Sequence, residues 1–112
     1  MTTILITGST SGIGLGIAKA FAQKGNNIIF NGLEKNGAAI AQQIASEYKI
    51  EFSFSPADML NPGQLREMVN LAREKFGSID ILVNNAGIQY VSPIETLKWD
   101  EIIPLDGGWS AQ

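Results

Sequence analysis

Three short apolar runs punctuate the chain: Ile4-Leu5-Ile6, Ile28-Ile29-Phe30 and Ile79-Asp80-Ile81-Leu82-Val83. Each is nearly continuous and rich in branched side chains, the pattern of strands buried on both faces of a parallel sheet. A weaker run from Glu51 to Phe54 alternates polar and apolar positions. Between the runs lie three helical stretches: Ile13 to Gln23, Gly37 to Tyr48 with Ala38, Ile40, Ala41, Ile44 and Ala45, and Pro62 to Phe76. The last carries Leu65, Met68, Val69, Leu71 and Ala72 toward one side, opens on Asn61 as N-cap with Pro62 at the first helical position, and stops at Gly77.

Strand and helix therefore alternate four times. Right-handed crossovers follow, and with them an α/β fold: a doubly wound parallel sheet of about four strands, order 3-2-1-4, flanked by helices. A chain of 112 residues makes one domain, and near this length roughly two-thirds of the unfolded surface is buried. No internal repeat, low-complexity segment or linker interrupts it before residue 103.

Composition narrows the chemistry. The net charge is −3, and Arg66 and Arg73 are the only arginines. A nucleic-acid partner is not expected, because nothing provides a long-range pull on phosphates. No apolar run approaches the ~20 residues that span a bilayer, and Met1-Thr2-Thr3 lacks a basic leader, so a soluble, cytoplasmic protein without a membrane partner is expected. Cys and His are both absent. Disulfides, thiolate nucleophiles, metal sites built on Cys or His and imidazole acid/base chemistry are thereby excluded.

Directly after the first run stands TGSTSGIG, with Gly8, Gly12 and Gly14 at the entry to the first helix. Glycines there let the backbone turn tightly and approach a pyrophosphate, whose charge meets free N–H groups and the positive end of the helix dipole. The competing reading is a plain Gly-rich strand-to-helix turn. A Walker loop is excluded, since no Gly-Lys-Ser/Thr follows. Asp58, after the third strand in PADML, can accept from an adenine amino group or merely begin a turn. NNAG, Asn84 to Gly87, follows the fourth strand, at the carboxyl end where ligands of open α/β sheets bind.

TGSTSGIG, the Asp58 position and NNAG, in this order and at these separations, resemble the short-chain dehydrogenase/reductase family over residues 1 to about 103. NNAGIQYVSPIE, KWDEII and the ending DGGWSAQ resemble its members that oxidise 3-hydroxybutyrate or a similar short hydroxy acid. The resemblance implies NAD as cofactor, with Gly8, Ser9, Gly12, Ile13 and Gly14 at the phosphates, Asp58 and Met59 at the adenine, and Asn85, Ala86 and Gly87 at the adenine-side ribose. It also makes Gln89 a contact for the substrate carboxylate, although an ordinary polar loop residue is the simpler reading.

NADP is less expected than NAD, because no Arg stands near Asn31-Gly32-Leu33, where a 2′-phosphate would need one, and Lys35 is a weak substitute. Glu34 is at the right separation to meet a ribose, but solvated surface is its simpler role.

Enzymes of this family move a proton with a Tyr whose acidity is raised by a Lys four residues later. That spacing puts both on one helix face, where the ammonium stabilises the phenolate. Here Tyr48 is followed at that distance by Phe52, and Tyr90 by Ile94. A lone phenol of pKa near 10 is ionised about one part in a thousand at neutral pH, so no catalytic residue is assigned. Tyr48 is expected to pack at a helix end.

The resemblance lapses near Ile103 and resumes at Asp106-Gly107-Gly108-Trp109. It thus implies a truncated Rossmann-like domain over 1–103, and a tail over 104–112 resembling the end of longer family members. The fourth strand would then lack a neighbour. Its bare edge, together with Leu97, Trp99, Ile102, Ile103 and Trp109, would favour a homo-oligomer formed through that strand or the C-terminal segment. Three readings stay open: an inactive NAD-binding remnant, an active NAD-dependent oxidoreductase, and a module that binds itself or a relative.

Overall fold

The computed structural model describes residues 2–85 and the strand Val91–Ser92. The elements follow in the order β1 (Thr3–Ile6), α1 (Gly12–Gln23), β2 (Asn27–Asn31), α2 (Gly37–Tyr48), β3 (Phe52–Ser55), α3 (Pro62–Phe76), β4 (Ile81–Val83) and β5 (Val91–Ser92). Four parallel strands lie in the order 3-2-1-4, as the alternation of apolar runs implies.

Period-two alternation sorts the strand residues between two cores. Leu5, Ile29 and Leu82 turn to one side, where α3 covers them with Leu65, Met68, Val69 and Ala72. Ile4, Ile6, Ile28, Phe30 and Val83 turn to the other, against Ala18 and Ala22 of α1 and Ala41, Ile44 and Ala45 of α2. Burying each large side chain contributes about 1.5–3 kcal/mol, and Ile4, Leu5, Ile6, Ile28, Ile29 and Phe30 are all at most 1% exposed. These strands therefore anchor the fold. Helix α1 lies close to the sheet because its buried stripe, Gly14, Ala18 and Ala22, is small and spaced by four.

The helix ends follow from local chemistry. Asn61 Oδ1 accepts from the Gln64 N–H at 3.1 Å, Pro62 occupies the first turn, and Gly77 closes α3 at φ 83°. Tyr48, the last residue of α2, packs half-buried on the core.

The bare fourth strand is corrected. β5 pairs antiparallel with β4, matching Leu82 with Ser92 and Val83 with Val91, so the carboxyl half of that edge has an in-chain neighbour. Val91 and Ser92 can return along β4 because a few residues suffice to reverse an antiparallel neighbour, whereas a parallel one needs a long crossover. The proposed tail contacts at Leu97, Trp99, Ile102, Ile103 and Trp109 lie outside the described residues.

Candidate functional site

The carboxyl ends of β1, β2, β3 and β4 lead into four segments that meet at one end of the sheet: 7–11, 31–34, 55–59 and 84–85. In an open α/β sheet this is the end where ligands bind.

Buried polar side chains tie the segments together. Thr7 Oγ1 donates to Asn84 Oδ1 at 3.1 Å and accepts from the Asn85 N–H at 2.9 Å, joining β1 to β4. Asn85 Nδ2 donates to the Gly8 carbonyl at 3.1 Å. On the other flank Asn31 Oδ1 accepts from the Gly8 N–H at 3.0 Å, while Asn31 Nδ2 donates to the Ser55 and Ala57 carbonyls at 3.1 and 3.0 Å. One side chain thus holds the ends of β1, β2 and β3 in register. Asn84 Nδ2 is buried without a partner among the described residues, which costs about 1–3 kcal/mol.

The glycine-rich loop has the shape that close approach by an anion requires. Gly8 and Gly12 take φ values of 59° and 56°, which favour glycine. Gly14 is buried, and a Cβ there would overlap the Gly8 carbonyl oxygen and stand 2.6 Å from Asn85 Nδ2. Ser11 stands at the N-cap of α1 but its side chain does not bond the helix N–H groups, and the first turn contains no acidic residue. Leu15 is the first residue to donate back, to Ser11 at 3.1 Å. The N–H groups of Gly12, Ile13 and Gly14 therefore precede the first intrahelical bond and make an electropositive corner. Ile13 stands beside them, 73% exposed.

Ser9 is turned inward. Its N–H donates to the Asn31 carbonyl at 2.7 Å, its Oγ accepts from the Asn31 N–H at 2.9 Å, and it is 0% exposed. It braces the loop from within.

Beside the loop opens a cleft of about 310 Å³ lined by Gly8, Asn31, Gly32, Leu33, Glu34, Ala57, Asp58 and Met59. Among the described residues, two carboxylates and no basic side chain line it. Glu34 departs from a merely solvated residue, because it accepts a hydrogen bond from Thr10 Oγ1. Hydroxyl donors, Thr10 first and then Ser11, hold its carboxyl below the ordinary 4.5. The contact is possible because Gly32 is buried against the Thr10 side chain, where any Cβ would overlap Oγ1.

Asp58 both begins a turn and lines the cleft. Its carbonyl accepts from the Asn61 N–H at 2.9 Å, and its Oδ1 accepts from the Leu60 N–H at 2.9 Å. Gly8, Gly14 and Asn85 are brought into contact, and Gly8, Asp58 and Met59 share the cleft. Ala86, Gly87, Gln89 and Tyr90 lie outside the described residues. Motif reading missed Asn31 and Thr10. A polar Asn at the end of an otherwise apolar buried strand was the available signal for the first; Thr10, inside the loop, carried none.

A doubly wound sheet, a glycine-rich turn into α1 and an acid-lined cleft at the strand ends define a nucleotide-binding α/β protein. The family model described as short chain dehydrogenase matches residues 2–105, and the chain belongs to that family. It is 48% identical over 107 residues to a D-beta-hydroxybutyrate dehydrogenase of Cupriavidus necator, a match covering 93% of this chain and 42% of that protein. A D-beta-hydroxybutyrate dehydrogenase of Rhizobium meliloti is 40% identical over 109 residues, again covering 93% of this chain and 42% of the relative. Among solved structures, an alcohol dehydrogenase from Thermococcus sibiricus complexed with 5-hydroxy-NADP superposes with a TM-score of 0.76 at 29% identity, covering 97% of this chain and 49% of that one. The chain therefore spans less than half the length of these relatives and corresponds to their N-terminal, nucleotide-binding portion.

Proposed function

We propose that this chain holds the adenosine diphosphate end of NAD, as the nucleotide-binding portion of a 3-hydroxybutyrate dehydrogenase-like enzyme, and does not itself transfer a hydride. The observation that carries the reading is the cradle around Gly14: the Gly8 carbonyl and the Asn85 amide occupy the space of a Cβ, leaving the backbone N–H groups at the start of α1 open to a pyrophosphate.

The residues present fit that group. Gly8, Gly12, Ile13 and Gly14 would meet the diphosphate, Asp58 and Met59 the adenine, and Glu34 and Asn85 the ribose, with Ala86 and Gly87 assigned by their place in NNAG alone. Glu34 favours NAD over NADP, since a carboxylate accepts from a free 2′-hydroxyl and repels a 2′-phosphate, and no cation among the described residues lines the cleft to offset that. Bound NAD would supply the hydride acceptor.

This chain's contribution is to orient the adenosine half and neutralise phosphate charge. Proton transfer is absent from the proposal because no Tyr in the 112 residues has a Lys four positions later. Gln89 therefore stays unassigned here.

Calorimetry tests the reading. ADP should bind within about tenfold of NAD, a difference of about 1.4 kcal/mol, and NADP more weakly than NAD. Failure of ADP to bind would end the proposal. Growth of NADH absorbance with 3-hydroxybutyrate and purified chain would end its second half and restore the active-oxidoreductase reading.

A further inference from the structure

The loop that carries Asp58 is held from the helix behind it. Gln64 Oε1 accepts from the Asp58 N–H at 2.8 Å, while the Gln64 N–H donates to Asn61 Oδ1 at 3.1 Å. Asn61 in turn donates its N–H to the Asp58 carbonyl at 2.9 Å, and the Leu60 N–H donates to Asp58 Oδ1 at 2.9 Å. These four bonds close a small circuit between residues 58 and 64. They commit the N–H, the carbonyl and one carboxylate oxygen of Asp58, and Oδ2 takes part in none of the four. Gln64 supplies the one bond that fixes the Asp58 N–H, and it is an exposed side chain outside both cores.

We infer that Gln64 is a positioning residue for base selection: it holds Asp58 at the register where the carboxylate accepts from an exocyclic amino group and repels a carbonyl oxygen. The inference rests on the proposed adenine site. Adenine presents an amino group there, and hypoxanthine presents an oxygen at the same ring position, so the two nucleotides differ in the one feature Asp58 reads. A loop released from Gln64 keeps its carboxylate and its charge but not the placement, and hydrogen-bond discrimination depends on placement.

The test compares ADP with inosine diphosphate by calorimetry on the whole chain. Gln64→Met keeps length and helix propensity and removes the acceptor; Gln64→Glu restores an acceptor. Wild type should prefer ADP, Gln64→Met should lower the ADP-to-IDP ratio by about fivefold, the worth of one hydrogen bond, and Gln64→Glu should recover most of it.

Amide exchange at Asp58 should quicken in Gln64→Met and slow again in Gln64→Glu, with thermal midpoints close to wild type. An unchanged ratio in Gln64→Met, with Asp58→Ala collapsing it, overturns the role of Gln64 and leaves the adenine site standing. Equal binding of ADP and IDP by wild type overturns the reading of Asp58, and this inference with it.

Discussion

Asn31 Oδ1 accepts the Gly8 N–H at 3.0 Å, so the end of β2 holds the first turn of the glycine-rich loop. The same carboxamide donates to the Ser55 and Ala57 carbonyls. Asn31 is 2% exposed, and Asn31→Ala would remove all three bonds. Three lost bonds at about 1 kcal/mol each predict a destabilisation of about 3 kcal/mol. Urea unfolding measures it, and a loss below about 1 kcal/mol would mean that water replaces the side chain.

Gly14→Ala probes the opposite flank. The new methyl would overlap the Gly8 carbonyl and crowd Asn85 Nδ2, both held by other bonds and unable to yield cheaply. Overpacking of this kind costs about 1–3 kcal/mol. ADP affinity should fall by more than tenfold, because the loop must move away from α1 to make room. Gly16→Ala serves as the control: nothing lies within 4 Å of its Cβ position, and exchanging Gly for Ala inside a helix should stabilise by about 0.5–1 kcal/mol.

The sheet order was legible because each apolar run alternates its side chains between two cores. Leu5 and Ile29 need one helix, Ile4 and Phe30 another, and only helices on both faces satisfy both. The glycine positions were legible because tight turns and close approach leave few other choices of residue.

The bracing was not legible. Asn31 and Gln64 act through contacts between distant segments, which local pattern does not encode, and Ser9 looks like a loop hydroxyl until Asn31 is seen to claim both its polar groups. β5 escaped notice because two residues, Val91 and Ser92, make too short a run to stand out from a loop.

The Thr10–Glu34 contact predicts a pH dependence. The Glu34 carboxyl titrates below 4.5 in the folded protein, chiefly because Thr10 donates to it. A carboxylate with a depressed folded pKa stabilises the protein above its unfolded value, and that contribution is lost as pH falls through the folded value. Thr10→Val should therefore be less stable than wild type at neutral pH, with the gap narrowing below 4.5. Glu34 is exposed, so solvent screening keeps the effect small. A gap that stays constant on acidification would show that the hydroxyl matters for packing and not for charge.

Lys49 ends α2 in the left-handed region, at φ 57° and ψ 48°, and is the one non-glycine described residue with positive φ. The Ile50 N–H donates to the Ala45 carbonyl at 3.0 Å, which this conformation permits. Glycine adopts it without a Cβ clash, so Lys49→Gly should stabilise by about 0.5–1 kcal/mol. The thermal midpoint should rise by a few degrees. No rise would mean that the unfolded-state entropy added by glycine cancels the relief.

Lys75 guards the outer edge of the sheet. β3 is a terminal strand of the sheet. The carbonyls of Glu51, just before β3, and of Ser55 accept from Ile28 and Gly32, so by parity the Phe52 carbonyl faces away from β2. Lys75, on α3, donates to that carbonyl and places its ammonium 5.4 Å from the ring centroids of Phe52 and Phe76. A charged group at this position obstructs a second strand from pairing with β3. Lys75→Ala should lose about 1 kcal/mol of stability and increase self-association, seen as a larger sedimentation coefficient that grows with concentration. Lys75→Arg keeps the charge and should behave as wild type. A monomeric Lys75→Ala chain would show that the edge is protected by strand twist or by the shortness of β3 instead.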